Sequence, residues 1–189
     1  DACVIGISSL TPTGCQGANT YTLNGSLEFG NAPISGQLIV ASSTGATQTF
    51  NAPFTNPTNF SFTDQMPSGQ VVTVTAQFSD ETTCTVQSTY TAPTIPSVVA
   101  SADVAICEGN STVVSVSGNA SSYSWSNSFV GTSNAVTPTA TTTYTVTGTL
   151  NGCTTTDQVT VNVNANLVPT ITPNATVCIG TPVTITVSD

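Results

Sequence analysis

TTYTVTGTLNGCTTTDQVTVNV, residues 142–163, decides the fold. Before Asn151-Gly152, the apolar residues Tyr144, Val146 and Leu150 alternate with polar or small ones; after it, Val159, Val161 and Val163 do the same. An apolar period of two marks strands that bury one face and leave the other wet. Asn-Gly tolerates positive φ at both turn positions, so the pair reads as the corner of a hairpin. The same period runs through Tyr21, Leu23, Leu27 and Phe29, and through Val72, Val74, Ala76 and Phe78. The β-branched and tyrosine content agrees with strands. No stretch carries a helical stripe, and the chain reads as all-β.

The pattern repeats. A Cys-x-Gly followed by a strand occurs at Cys15 (CQGANTYTLNG), Cys107 (CEGNSTVVSVSG) and Cys178 (CIGTPVTITVS). A cysteine at a late hairpin before a final strand occurs at Cys84 (ETTCTVQSTYTAP) and Cys153 (NGCTTTDQVTVNV). Fixed-order recurrence is the signature of tandem modules. The expected organisation is one domain over 1–93, a shorter one over 94–165 and the start of a third over 166–189, with linkers near 92–96 and 164–169. Extra strands around SGQLIVASS and NFSFTD lengthen the first unit. Short strands with turn signals every eight to twelve residues suggest immunoglobulin-like β-sandwiches in tandem.

Six cysteines without histidine or a CxxC pair point to disulfides and an oxidising compartment. The repeat proposes Cys15 with Cys84 and Cys107 with Cys153, each bridge stabilising its domain by roughly 4 kcal/mol. Cys3 and Cys178 are then left unpaired within the chain, Cys3 bonding something upstream; the alternative, Cys3 with Cys15, leaves Cys84 single. Trp125, eighteen residues after Cys107, is placed mid-strand as a core aromatic packing on the second bridge.

The 189 residues include no Lys, Arg or His against nine carboxylates, a net charge of −9. Side-chain salt bridges are therefore impossible. Nothing can neutralise phosphates, which argues against nucleic-acid partners and against docking on anionic membranes. No apolar run approaches the ~20 residues of a membrane-spanning helix, so direct membrane insertion is not expected. The start carries no signal segment and no Met, as expected of a mature, excised, extracellular stretch of something longer.

The second unit, ICEGNSTVVSVSG, YSWS, TPTATTTYTVTGTLNGC and VTVNV, resembles the Ig-like/PKD-like repeats of very large Bacteroidota surface proteins. The first, with YTLNGSLEFGNAPISGQLIV, FNAPF and VTAQFSDETTCTVQSTYTAP, is similar to repeats of gliding-motility adhesins of the SprB type. The resemblance covers nearly the whole chain. It implies export by type IX secretion, a place on the bacterial cell surface and a role in long adhesive filaments. It brings no catalytic residues.

Catalysis is disfavoured from the residues themselves. Ser or Cys nucleophiles lack a His or Lys base, and zinc lacks free ligands if the cysteines are bridged. Of the carboxylates, Asp80 and Glu81 are neighbours that diverge if extended, and Asp103, Glu108 and Asp157 sit beside turns. No cofactor is expected; Asp103 and Glu108, near the first junction, are the nearest candidates for a shared calcium ion. The Asn-x-Ser/Thr triplets at Asn24, Asn59, Asn110, Asn119 and Asn174 are ordinary for this composition. The expected role is a structural or adhesive repeat segment whose partners are neighbouring repeats and extracellular surfaces. The rivals are a glycan- or ligand-binding module, for which Phe129 (SNSFVG) and Phe54 (APFTNP) are the candidate exposed aromatics, and a spacer of a secreted enzyme.

Overall fold

A computed structural model of the chain describes residues 2–166 and Gly180. The unit expected over 166–189, with Cys178 and Asn174, lies outside the described residues apart from Asn166 and Gly180.

Seven strands come first: β1 (Val4–Pro12), β2 (Tyr21–Gly30), β3 (Gln37–Ser42), β4 (Thr47–Asn51), β5 (Thr58–Gln65), β6 (Val71–Phe78) and β7 (Thr85–Thr91). They form a three-stranded sheet β1-β2-β5 and a four-stranded sheet β4-β3-β6-β7, antiparallel throughout. Seven more follow: β8 (Val98–Ala100), β9 (Val104–Cys107), β10 (Thr112–Gly118), β11 (Ser122–Trp125), β12 (Ser133–Val136), β13 (Thr142–Leu150) and β14 (Cys153–Asn164). Their sheets are β12-β10-β8 and β11-β13-β14-β9, with β9 running parallel to β14. In each half the chain crosses repeatedly between the two facing sheets, the Greek-key arrangement of an immunoglobulin-like sandwich. The chain is all-β, two such sandwiches in tandem.

The alternating residues fill the interiors as their phase demands. Tyr21, Leu23, Leu27, Phe60 and Phe62 face Leu38, Val40, Val72, Val74, Ala76 and Phe78 in the first sandwich. Val114, Trp125, Tyr144, Val146, Val159 and Val161 centre the second. Burying each large side chain contributes about 1.5–3 kcal/mol. Two glycines sit on the apolar face, where the sequence stripe looks broken. A Cβ on Gly25 would come within 2.1 Å of the Phe60 ring opposite, and one on Gly148 within 2.4 Å of Val98. The empty position is what lets the facing side chain seat. At the Asn151-Gly152 corner φ is 49° and 81°, as the hairpin reading requires.

The disulfides depart from the repeat-based pairing. The bonds are Cys3–Cys84 and Cys15–Cys153, with Cα separations of 5.8 and 4.6 Å. Cys3 is thus paired within the chain, and Cys107 is exposed with no partner among the described residues. Strand geometry explains why. Cys84 immediately precedes β7, whereas Cys15 lies beyond β1 at the end where β7 finishes, seven residues of strand away. At ~3.3 Å per residue that is over 20 Å, far beyond a disulfide's reach of about 7 Å. Cys107 pairs in register with Asn164, eleven residues along β14 from Cys153, so those two are roughly 35 Å apart. Trp125 is a core aromatic, 4% exposed, but there is no Cys107–Cys153 bridge for it to pack on; its indole N–H donates to the Gly131 carbonyl at 3.0 Å.

Candidate functional site, a disulfide-clasped joint

The feature that sequence reasoning missed lies between the sandwiches. The β1–β2 connection, residues 13–20, projects from the outgoing end of the first sandwich and meets the β13–β14 corner of the second. Its base is fixed by two contacts across the connection. The Thr13 N–H donates to the Thr22 carbonyl at 2.8 Å, and the Thr22 N–H donates to Thr13 Oγ1 at 2.9 Å. Its tip is closed by reciprocal Gln16 and Thr20 backbone bonds of 2.8 and 3.2 Å. Gly17 at φ 45° and Asn19 at φ 60° turn the chain, a conformation glycine and asparagine adopt at least cost.

Four kinds of contact then join loop to corner. The Cys15–Cys153 bond is buried on both sides. The Cys15 N–H donates to the Asn151 carbonyl at 3.0 Å. The Asn19 side chain acts as a substitute strand for Thr154: its Nδ2 donates to the Thr154 carbonyl at 2.7 Å, and its Oδ1 accepts from the Thr154 N–H at 2.8 Å and hydroxyl at 3.3 Å. Finally, the backbones approach too closely for side chains. A Cβ on Gly14 would lie 2.7 Å from the Asn151 carbonyl oxygen, and one on Gly152 2.3 Å from that of Cys15. The linker passes alongside, with Thr91, Pro93 and Thr94 lining an open cleft of about 550 Å³ against Leu150 and Asn151. No charged residue takes part, so neither pH near neutrality nor salt bears on the clasp directly. What the arrangement can do is mechanical: it ties consecutive sandwiches by a covalent bond, a two-way amide pair and interlocking backbones.

The carboxylates do not converge. Asp157 accepts from the Ala100 and Gln158 N–H groups at 2.8 Å each, and these bonds hold its pKa below the ordinary value. Asp103 accepts from the Thr160 N–H at 2.7 Å. Asp80 accepts from Ser35 Oγ at 2.7 Å and Ser79 Oγ at 2.9 Å, which lower its pKa in that order. Each therefore fastens backbone or loop. Among the described residues no three His, Cys, Asp or Glu side chains gather as metal ligands. Phe54 packs on Phe29 and Phe78, ring centroids 6.3 and 5.0 Å away, so it serves the core rather than a ligand. Phe129 keeps 38% exposure beside Val130 at 69%. Asn24 and Asn119 are engaged with Ser61 and Ser97.

Of the joint's residues, Cys15 and Cys153 were visible in the sequence as cysteines but not as partners. Asn19, Gly14 and the role of Asn151-Gly152 beyond a turn were not visible, because their meaning depends on a second domain. The one available signal was CQGANT itself, where a glycine and an asparagine follow a cysteine within a single short connection.

The fold and joint define a tandem immunoglobulin-like module, and its disulfides belong to an oxidising, extracellular type of compartment. No protein-family model matches the chain, and no curated protein sequence matches it. Solved structures similar to it are immunoglobulin-domain proteins. One is the N-terminal eight Ig domains of Down Syndrome Cell Adhesion Molecule, at 13% identity and TM-score 0.38, covering 86% of this chain and 25% of that one. Another is a chimeric titin Z1Z2-Z1Z2 tandem functionalised with a fibronectin-derived peptide, at 14% identity and TM-score 0.30, covering 85% of this chain and all of that one. The chain spans about a quarter of the length of the first.

Proposed function

We propose that this chain is a non-enzymatic structural segment of a long extracellular adhesin or filament on a bacterial cell surface, serving attachment or gliding motility. The observation that supports it best is the Cys15–Cys153 bond, which joins consecutive sandwiches rather than closing one. A bond between modules fixes the joint itself as well as closing a loop, which suits an array that must transmit force without buckling at its linkers. The absence of Lys and Arg fits the same setting, since it removes every trypsin-type cleavage site and leaves a uniformly negative surface that resists self-association. Export by type IX secretion accompanies this reading through the family resemblance. Its partners are neighbouring repeats and the extracellular surfaces the filament touches.

Two measurements test it. Because Cys15–Cys153 takes residues 16–152 out of the force path, single-molecule stretching of the oxidised chain is expected to release little contour length, and reduction to add the extension of both sandwiches; identical traces count against a mechanical role. Antibody to the chain is expected to label intact source cells, and label confined to lysed cells overturns the surface placement. The exposure of Phe129 favours one further reading, glycan recognition. Binding on a glycan array that disappears in Phe129→Ala would establish it.

A further inference from the structure

The Cys107 turn is the counterpart of the Cys15 turn. Both are Cys-x-Gly, both follow a module's early strand, and both place the glycine in the left-handed region: Gly17 at φ 45°, Gly109 at φ 85°. Both also lie at the outgoing end of their sandwich. Cys107 pairs with Asn164, the last residue of β14, and the turn is tied to the departing chain by Glu108 N–H to Asn164 O at 2.9 Å and Asn166 Nδ2 to Glu108 O at 3.2 Å. The internal comparison supplies the occupant, because the equivalent turn one module upstream is bonded to a hairpin cysteine of the following sandwich. Cys84 obeys the same polarity: it stands at the incoming end, where Cys3 arrives to bond it.

We infer that the Cys107–Ser111 turn is a docking surface for the last β-hairpin of another immunoglobulin-like module, closed by a disulfide from Cys107 to that hairpin's cysteine. This rests on the array reading above and names the partner that the array places there. Two thiols give up two protons and two electrons to a small disulfide such as oxidised glutathione, leaving one protein disulfide and two reduced glutathione molecules. The turn differs from its counterpart at four places. Ile106 stands where the first has Gly14, so the partner's corner carbonyl seats further out than that of Asn151. Glu108, Asn110 and Ser111 stand where the first has Gln16, Ala18 and Asn19, so a single hydroxyl replaces the two-way amide pair and the joint rests mainly on the disulfide.

The test duplicates residues 94–166 directly after Asn166 in the full chain, in a Cys178→Ala background. Six residues then connect β14 to the next β8, matching the six of the natural linker, residues 92–97. After oxidation in glutathione buffer, the first-copy Cys107 is expected to be bonded to the second-copy Cys153. The readouts are pepsin peptides by mass spectrometry and at least tenfold protection of both thiols from maleimide. First-copy Cys107→Ala is expected to restore labelling of that Cys153, and Ile106→Gly to raise the yield of the bond. Burial of the second Trp125, read by its emission, reports whether the added module folds. If it does not fold, a chain carrying Cys15→Ala, Asn19→Ala and Cys178→Ala, which frees its own Cys153, is offered in trans to the Cys178→Ala chain. Free, reactive Cys107 and Cys153 in a folded product, with and without Ile106→Gly, overturn the inference. The original Cys15–Cys153 joint in the same molecule separates the two ideas: if it forms alone, only the inference falls, and if it fails too, the array reading falls with it.

Discussion

The two sandwiches are closed in different ways. In the first, Cys3–Cys84 fastens the incoming segment to the β6–β7 turn, so the module is locked on itself. Its core is also aromatic, with Phe29, Phe54 and Phe78 meeting edge to face. The second has no bridge of its own among the described residues and a core dominated by valines. Its buried Cys153 reaches back to its neighbour. One cysteine position, the late hairpin, thus serves two purposes, and what decides between them is which segment arrives beside it.

The largest test of this contrast is Cys3→Ala with Cys84→Ala. The bond spans 81 residues, so the first sandwich is expected to lose about 4 kcal/mol in the chain-entropy model. Calorimetry is expected to show its transition falling while the second stays in place; equal falls in both would mean that the pair unfolds as one unit. Cys15→Ala with Cys153→Ala is the complementary change. That bond spans 138 residues, most of both sandwiches, and is worth a similar amount, roughly 5 kcal/mol in the same model. Both transitions are therefore expected to fall and the sandwiches to show separate rotational correlation times by ¹⁵N relaxation.

A smaller effect comes from Asn19→Ala, which removes three hydrogen bonds to Thr154 while keeping the disulfide. At roughly 0.5–1.5 kcal/mol each, the loss is expected to speed amide exchange at Thr154 by about 10- to 2,000-fold without moving either core. Unchanged exchange would assign the rigidity of the joint to the sulfur bond alone.

How much of this was legible beforehand follows from what each residue's meaning depends on. Tyr21, Val74, Val146 and Val159 declare their burial through period two, a property of the local chain, and Asn151-Gly152 declares its corner through φ. Strand β4 leaves little trace in the sequence because TQTFN offers one apolar residue on a wet edge. The disulfides Cys3–Cys84 and Cys15–Cys153 differ from the repeat-based pairing because sequence repetition says which cysteines are equivalent, not which are near. The distance between Cys15 and Cys84 is the length of β7, and that follows only once the ends of the strands are known. Asn19 gave no sign, since its partner lies 135 residues away in another module.

The first sandwich also differs at high pH. Tyr21 and Tyr90 share a buried hydroxyl contact of 2.8 Å, and burial, then that hydrogen bond, push the Tyr90 pKa well up from 10.0. A raised folded pKa favours the neutral phenol, so the stability it contributes is present below about pH 10 and is lost as pH rises beyond it. Tyr90→Phe is expected to cost the first sandwich about 1 kcal/mol at neutral pH. It should also flatten that sandwich's alkaline decline, followed by circular dichroism from pH 9 to 11. An unchanged slope would remove the pair from the account.

Acid separates the sandwiches in the opposite sense and by the least. Asp157 receives the Ala100 N–H of β8 from its place on β14, so the carboxylate bridges the two sheets of the second sandwich. Asp80 in the first only gathers the hydroxyls of Ser35 and Ser79 on the surface. Both have folded pKa values lowered from 3.8 by these bonds. Their contribution is therefore complete above the unfolded value and fades as pH falls through the lowered one. Because protonated Asp157 accepts more weakly, the Ala100 amide is expected to lose protection only as pH falls below about 3.8, while the first sandwich, with no equivalent carboxylate bond between its sheets among the described residues, keeps its β1 amides protected. Asp157→Asn should remove that pH dependence and Asp80→Asn should not. If Ala100 exchange keeps the same acid slope in Asp157→Asn, the tie between β8 and β14 is carried by packing of Val98 against its neighbours rather than by the carboxylate.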